Sequence, residues 1–217
     1  MREGACGNVV KGVRLRATQQ FVHSAQWGAA GFGIGFATVG IITGLLGYYM
    51  KDITRLCLLL VLSVFASSLG SAMLGFAGKP KAAARQCALA GAAGCGCGYL
   101  VSAMVSLILM MAGCDPFVIA PLACIVIGGS TGMFLGATEK SRKYVVMSTL
   151  AGAIGGAFFN LAGLGLGCFF LVFEGSIPLC CEVRDSIAYG LWGAIGGVII
   201  GACLGVAHAM VHPRGLR

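Results

Sequence analysis

Six stretches of this 217-residue chain contain no Asp, Glu, Lys or Arg: Trp27–Met50, Leu56–Gly78, Cys87–Gly113, Phe117–Ala137, Tyr144–Phe173 and Ser186–Val211. Each exceeds the roughly 20 apolar residues that carry a helix across about 30 Å of hydrocarbon. Lipid offers no partner to backbone N–H and C=O groups, so apolar runs of this length cross it as helices, which satisfy those groups internally. The fold predicted is an all-α integral membrane protein of about six transmembrane helices. The length of the third and fifth runs predicts that they tilt or project beyond the hydrocarbon. Pro121 in the fourth leaves a re-entrant segment as the alternative to a full crossing. Around this transmembrane domain (27–211) stand a basic N-terminal segment (1–26) and a basic tail (212–217).

Composition agrees. The chain is 58% hydrophobic and 10% charged, with a mean hydropathy of +0.93, whereas a soluble domain carries roughly 25% charged residues. The first apolar run begins after 26 residues without a small-residue cleavage site, which predicts a first span rather than a removed signal peptide. Met1–Gln26 holds four Lys/Arg and one acid, Glu3, a balance that also suits a mitochondrial targeting segment. The location predicted is the cell membrane, with the mitochondrial inner membrane as the alternative.

The cations set an orientation. With six spans, both termini and the loops Lys79–Gln86 and Glu139–Lys143 share one side, which holds twelve of the 15 Lys and Arg residues. Only Lys51, Arg55 and Arg184 fall on the other, together with Asp52, Asp115, Glu174, Glu182 and Asp185. The positive-inside rule then predicts cytoplasmic N- and C-termini. The formal charge of +8 reflects topology and contact with anionic head groups. No basic groove with interleaved aromatics is present, so the bilayer is the expected partner and nucleic acid is not.

Two parallel helical-hairpin repeats stand 61 residues apart. Leu74–Leu100 aligned without gaps on Leu135–Leu161 matches at Leu74, Gly75, Lys79, Leu89, Ala90, Gly91, Ala92, Gly94 and Leu100. Each copy is a helix, a short basic turn and a second helix, so a pseudo-symmetry axis would run along the membrane normal. WGAAGFGIGFATVG from Trp27 and WGAIGGVIIGACLG from Trp192 also agree at seven of fourteen positions. These two spans run in opposite directions, so their likeness reads as convergence on one packing code.

That code is a ladder of small residues. Gly193, Gly197, Gly201 and Gly205 recur every four residues in the sixth span, and Gly128, Gly132 and Gly136 do so in the fourth. Ser67, Ser71 and Gly75 form a ridge in the second; Ala90, Gly94 and Gly98 form one in the third. Burial cannot hold helices together in lipid, but small residues let backbones approach, gaining dispersion and Cα–H···O contacts. The ridges predict a tight glycine-rich bundle, a homo-oligomer or association with other membrane subunits, or both.

Candidate chemistry is sparse. Proton relays, coupled pumps and voltage sensors need charges at membrane depth, and the spans hold none. Tyr99 and Asn160 are polar, near mid-span and 61 residues apart, either lining a path or hydrogen-bonding neighbouring helices. His208 and His212, with His23, lack the carboxylate or cysteine that would complete a metal site. Seven of the 11 cysteines fall within spans, where thiols act as small hydrophobes. Cys114, Cys180 and Cys181 fall on the outer side, where an oxidising exterior would let Cys114 bridge to the adjacent pair. No phosphate loop, nucleophilic triad or metal motif appears, so the reading is no enzyme, no cofactor and no metal. The function predicted is a non-catalytic oligomerising or accessory membrane component, with a transporter or channel for a small neutral or weakly polar solute as the alternative.

Overall fold

The computed structural model describes residues 3–47, 49–50, 52–76, 81–139, 141–173 and 181–211, and in the stretches 3–17, 167–173 and 181–182 only the backbone. These residues form six α-helices: α1 (Glu3–Gly47), α2 (Asp52–Phe76), α3 (Lys81–Met111), α4 (Pro116–Ala137), α5 (Arg142–Phe173) and α6 (Cys181–Val211). All six are long and apolar enough to span a membrane, so this is a multi-pass membrane protein in contact with lipid. The described residues contain no strand.

Local chemistry fixes the element ends. Gly113, at φ 78°, ends α3; Cys114 N–H donates to the Leu109 carbonyl and Gly113 N–H to that of Met110. This pairing satisfies carbonyls that a helix end leaves open, and glycine adopts the left-handed turn without a Cβ penalty. Two residues later Asp115 caps α4, its Oδ1 accepting from Phe117 N–H at 2.8 Å, with Pro116 in the first turn. Pro121 is accommodated inside α4, which runs unbroken for 22 residues, so the fourth segment is a full-length helix and not a re-entrant one.

Two boundaries differ from the sequence reading. The basic N-terminal segment is not separate from the first span: α1 is one helix of 45 residues, of which Phe21–Leu46 is the apolar part. The fifth-to-sixth connection is shorter than the stretch 174–185, because α6 already begins at Cys181. Charge misled the reading at this point: Arg184 and Asp185 pair at 3.5 Å within the first turns of α6, rather than lying in a loop.

The helices close into a ring. Each packs on its neighbours in chain order, and α6 returns to pack on α1 in the most extensive contact of the fold. Large side chains such as Phe65, Leu100, Met104 and Met111 point outward to lipid, and small ones sit between helices. Buried Leu74, Leu135 and Leu204 meet Cys87, Ile200 and Phe32 in the core. The three leucines lie near the ends of α2, α4 and α6, on the face where α1 begins and α6 ends, called here the terminal face.

Candidate functional site

Glycine geometry shows how close the helices come. A methyl group placed on Gly201 would overlap the Gly28 carbonyl, and one on Gly28 would overlap that of Gly201. Along the same α1–α6 seam, Gly205 faces the carbonyl of Ser24, Gly197 that of Phe32 and Gly193 that of Phe36. The α4–α5 seam repeats the arrangement, with Gly128 against Gly152, Gly132 against the Ser148 carbonyl and Gly136 against the Val145 backbone. On α3, Gly91 faces α2 at Ser67 and Ser71, while Gly94 and Gly98 face α4 at Thr131 and Ile127. The glycines of all these ridges thus face partners within the chain.

Cross-helix hydrogen bonds lie on the same seams. The Tyr99 hydroxyl donates to Ser63 Oγ at 3.0 Å, joining α3 to α2. Asn160 Nδ2 stands 4.0 Å from Cys124 Sγ, joining α5 to α4 in a weak N–H···S contact. The two polar mid-span residues are therefore not brought together; each engages the other helix of its own hairpin. Ser67 Oγ donates to the Gly91 carbonyl at 3.0 Å, and Trp192 Nε1 donates to the Phe159 carbonyl at 3.0 Å, joining α6 to α5.

Inside the ring is a cavity of about 70 Å³, bordered by residues from every helix. Phe32 and Phe36 of α1, Cys95 and Tyr99 of α3, Cys124 of α4 and Phe159 of α5 carry most of its chemistry; Ser67 (α2), Thr131 (α4) and Ile200 (α6) also touch it. Tyr99 borders the cavity, whereas Asn160 is not among the lining residues. None of the lining residues is charged. Their hydroxyl protons are directed into the protein: Ser67 to Gly91, Tyr99 to Ser63 and Thr131 to the Ile127 carbonyl. The cavity therefore presents aromatic faces, thiols and oxygen lone pairs.

An aromatic row leads away from it. Phe32 stacks on Phe36 at 6.3 Å; Phe36 meets Phe159 edge-on at 5.7 Å; Phe159 meets Trp192 at 5.3 Å. Gly196 and Gly163 make room for it, since a methyl on the first would overlap the Phe159 ring and one on the second would crowd Trp192. Sequence reading passed over Phe32, Phe36, Cys95, Cys124 and Phe159. One signal was available for the first two: in GFGIGF, two rings at i and i+4 stand among glycines that leave room for them on neighbouring helices.

The other predicted residues scatter. His208 is buried near the terminal face, its Nδ1 2.8 Å from the Tyr144 hydroxyl; His23 is exposed, and His212 lies outside the described residues. No group of three metal-binding side chains occurs among the described residues. Cys114 carries a free thiol beyond the end of α3. Cys180 and the Cys181 side chain, its suggested bridging partners, lie outside the described residues.

No protein-family model, curated protein or solved structure matches the chain.

Proposed function

We propose that this membrane protein is a passage for a small uncharged solute, with the central cavity as the point every permeating molecule crosses. The observation that carries the reading is that all six helices contribute to the border of one cavity. A scaffold needs only outward surfaces, and the ridges expected to build an oligomer have their glycines turned inward onto neighbouring helices of the same chain. Helices packed this tightly against one another form a wall, and the cavity is what the wall encloses.

The lining argues for the class of solute. Moving a bare ion into a low-dielectric site costs tens of kcal/mol unless charge or many dipoles compensate it. The cavity offers no charge and few polar atoms, which favours neutral molecules. At about 70 Å³ it has room for about two water molecules, each taking about 30 Å³ of liquid. This is a closed arrangement, sealed toward the terminal face by Leu74, Leu135 and Leu204, and transit requires the seal to part. The excess of cations on the terminal face supports a cytoplasmic position for that face, in the cell membrane or, alternatively, the mitochondrial inner membrane.

Flux into liposomes tests the reading. Purified protein reconstituted in liposomes should accelerate entry of small neutral solutes such as urea or glycerol, measured by light scattering, and leave potassium entry unchanged. Rates equal to those of protein-free liposomes for every neutral solute would refute it.

A further inference from the structure

Three antiparallel seams of the ring share one register. Leu74–Gly75, Leu135–Gly136 and Leu204–Gly205 occupy corresponding places near the ends of α2, α4 and α6, and all three leucines are buried in one cluster. Seven residues before each leucine come Ser67, Gly128 and Gly197. Across their seams these meet Gly91 on α3, Gly152 on α5 and Phe32 on α1. One turn along, Gly156 faces the Cys124 carbonyl, as Gly193 faces that of Phe36. The residue 61 before Gly156 is Cys95, which shares a hydrogen bond with the Ser67 side chain. On this register α6 and α1 form the third hairpin of a pseudo-threefold ring, although they are the last and first helices of the chain.

The third hairpin breaks the symmetry at the cavity. Where α3 and α5 carry Gly91 and Gly152, α1 carries Phe32; where they carry Cys95 and Gly156, α1 carries Phe36. Two phenyl rings thus occupy space that the other hairpins leave to hydrogen or a thiol, and both border the cavity. Their situations differ. Phe32 is 1% exposed, with its ring against Gly70 and inside the leucine cluster, so it belongs to the seal. Phe36 is half-buried and lies between Phe32 and Phe159, on the rim of the cavity away from that seal.

We propose that Phe36 sets the size limit for what occupies the central cavity, restricting it to the smallest uncharged molecules. The proposal rests on the reading of the cavity as a passage. Removing the ring joins its volume to the cavity, so larger neutral molecules fit, and a larger ring closes the space further. Phe159 is a poorer candidate because its ring fills the site opposite Gly196, and its own carbonyl holds Trp192.

Cys95, on the cavity wall, reports the limit without an added probe site. Parent protein and the variants Phe36→Ala, Phe36→Leu and Phe36→Trp, in liposomes, are treated with neutral thiol reagents of rising size: iodoacetamide, N-ethylmaleimide and N-phenylmaleimide. Modification of Cys95 is read by peptide mass. In the parent, Cys95 should react with iodoacetamide and fall off by about tenfold or more at N-phenylmaleimide, as a pocket too small by a ring rejects it. Phe36→Ala and Phe36→Leu should recover the large reagent, and Phe36→Trp should lose the small one. Lipid-facing Phe65→Ala should change nothing. An identical size limit in parent, alanine and leucine variants overturns the role of Phe36 and leaves the passage standing. Cys95 unreactive toward every reagent in every folded variant overturns both. The leucine variant keeps the test open if the alanine variant fails to fold.

Discussion

The phenol of Tyr99 on α3 donates to Ser63 Oγ on α2 at 3.0 Å, and sixty-one residues further on Asn160 reaches Cys124 in the same way. The four residues are one contact made twice: Ser63 and Cys124 correspond, as do Tyr99 and Asn160. A polar pair at this depth holds two helices in register, because neither partner finds water if the pair separates. In membranes such bonds average about 0.6 kcal/mol by double-mutant cycles.

That magnitude makes a prediction. Tyr99→Phe and Ser63→Ala should each destabilise the protein by about 1 kcal/mol or less, and the double variant should lose less than the sum, with a coupling near 0.6 kcal/mol. Reversible unfolding in mixed micelles measures all four proteins. Strict additivity would show that the two side chains do not act together.

Glycine contacts predict a contrast between two single-methyl changes. Gly201→Ala places a methyl on the Gly28 carbonyl, where backbone and not a flexible side chain must yield, and should destabilise by about 1–3 kcal/mol. Gly165→Ala meets nothing within 4 Å and sits in a helix, so it should be neutral or stabilise by about 0.5 kcal/mol. The same unfolding assay applies. Equal effects at the two positions would mean that the α1–α6 seam is looser than its geometry.

Orientation has its own test. Twelve of the 15 cations fall on the side of the termini, so reporters fused to either end should be active only in the cytoplasm or its topological equivalent. A reporter exposed on the opposite side at one end would remove the even number of crossings.

How much of this could be read in advance follows from what lipid does to sequence patterns. The six helices were legible because a charge in a span is costly, so its absence marks the span. The glycine ridges were legible because close approach needs small residues at every fourth position. Which way each ridge points was not, since a ridge facing another chain carries the same spacing as one facing a helix of its own chain. Phe32 and Phe65 show the difficulty: one is buried in the core and the other faces lipid, yet both are phenylalanines in uninterrupted apolar runs. In water the buried face of a helix is the apolar one; here both faces are, so the inside of the ring leaves little trace. The likeness of spans one and six, read as convergence, belongs to two helices that pack face to face along Gly28 and Gly201. The connection at 174–185 was drawn too long for the reverse reason, since Arg184 and Asp185 are charged yet helical.

The central claim is that the inside of the ring becomes wet, and two native cysteines test it most directly. Cys95 and Cys97 lie two residues apart on α3; Cys95 is buried on the cavity wall and Cys97 is exposed on the outer surface, toward lipid. Thiol alkylation runs through the thiolate, which forms only where water solvates it. Iodoacetamide applied to the protein in liposomes, followed by peptide mass mapping, should modify Cys95 and spare Cys97. Modification of Cys97 with Cys95 spared, or of neither residue, would contradict a water-accessible passage through the centre of the ring.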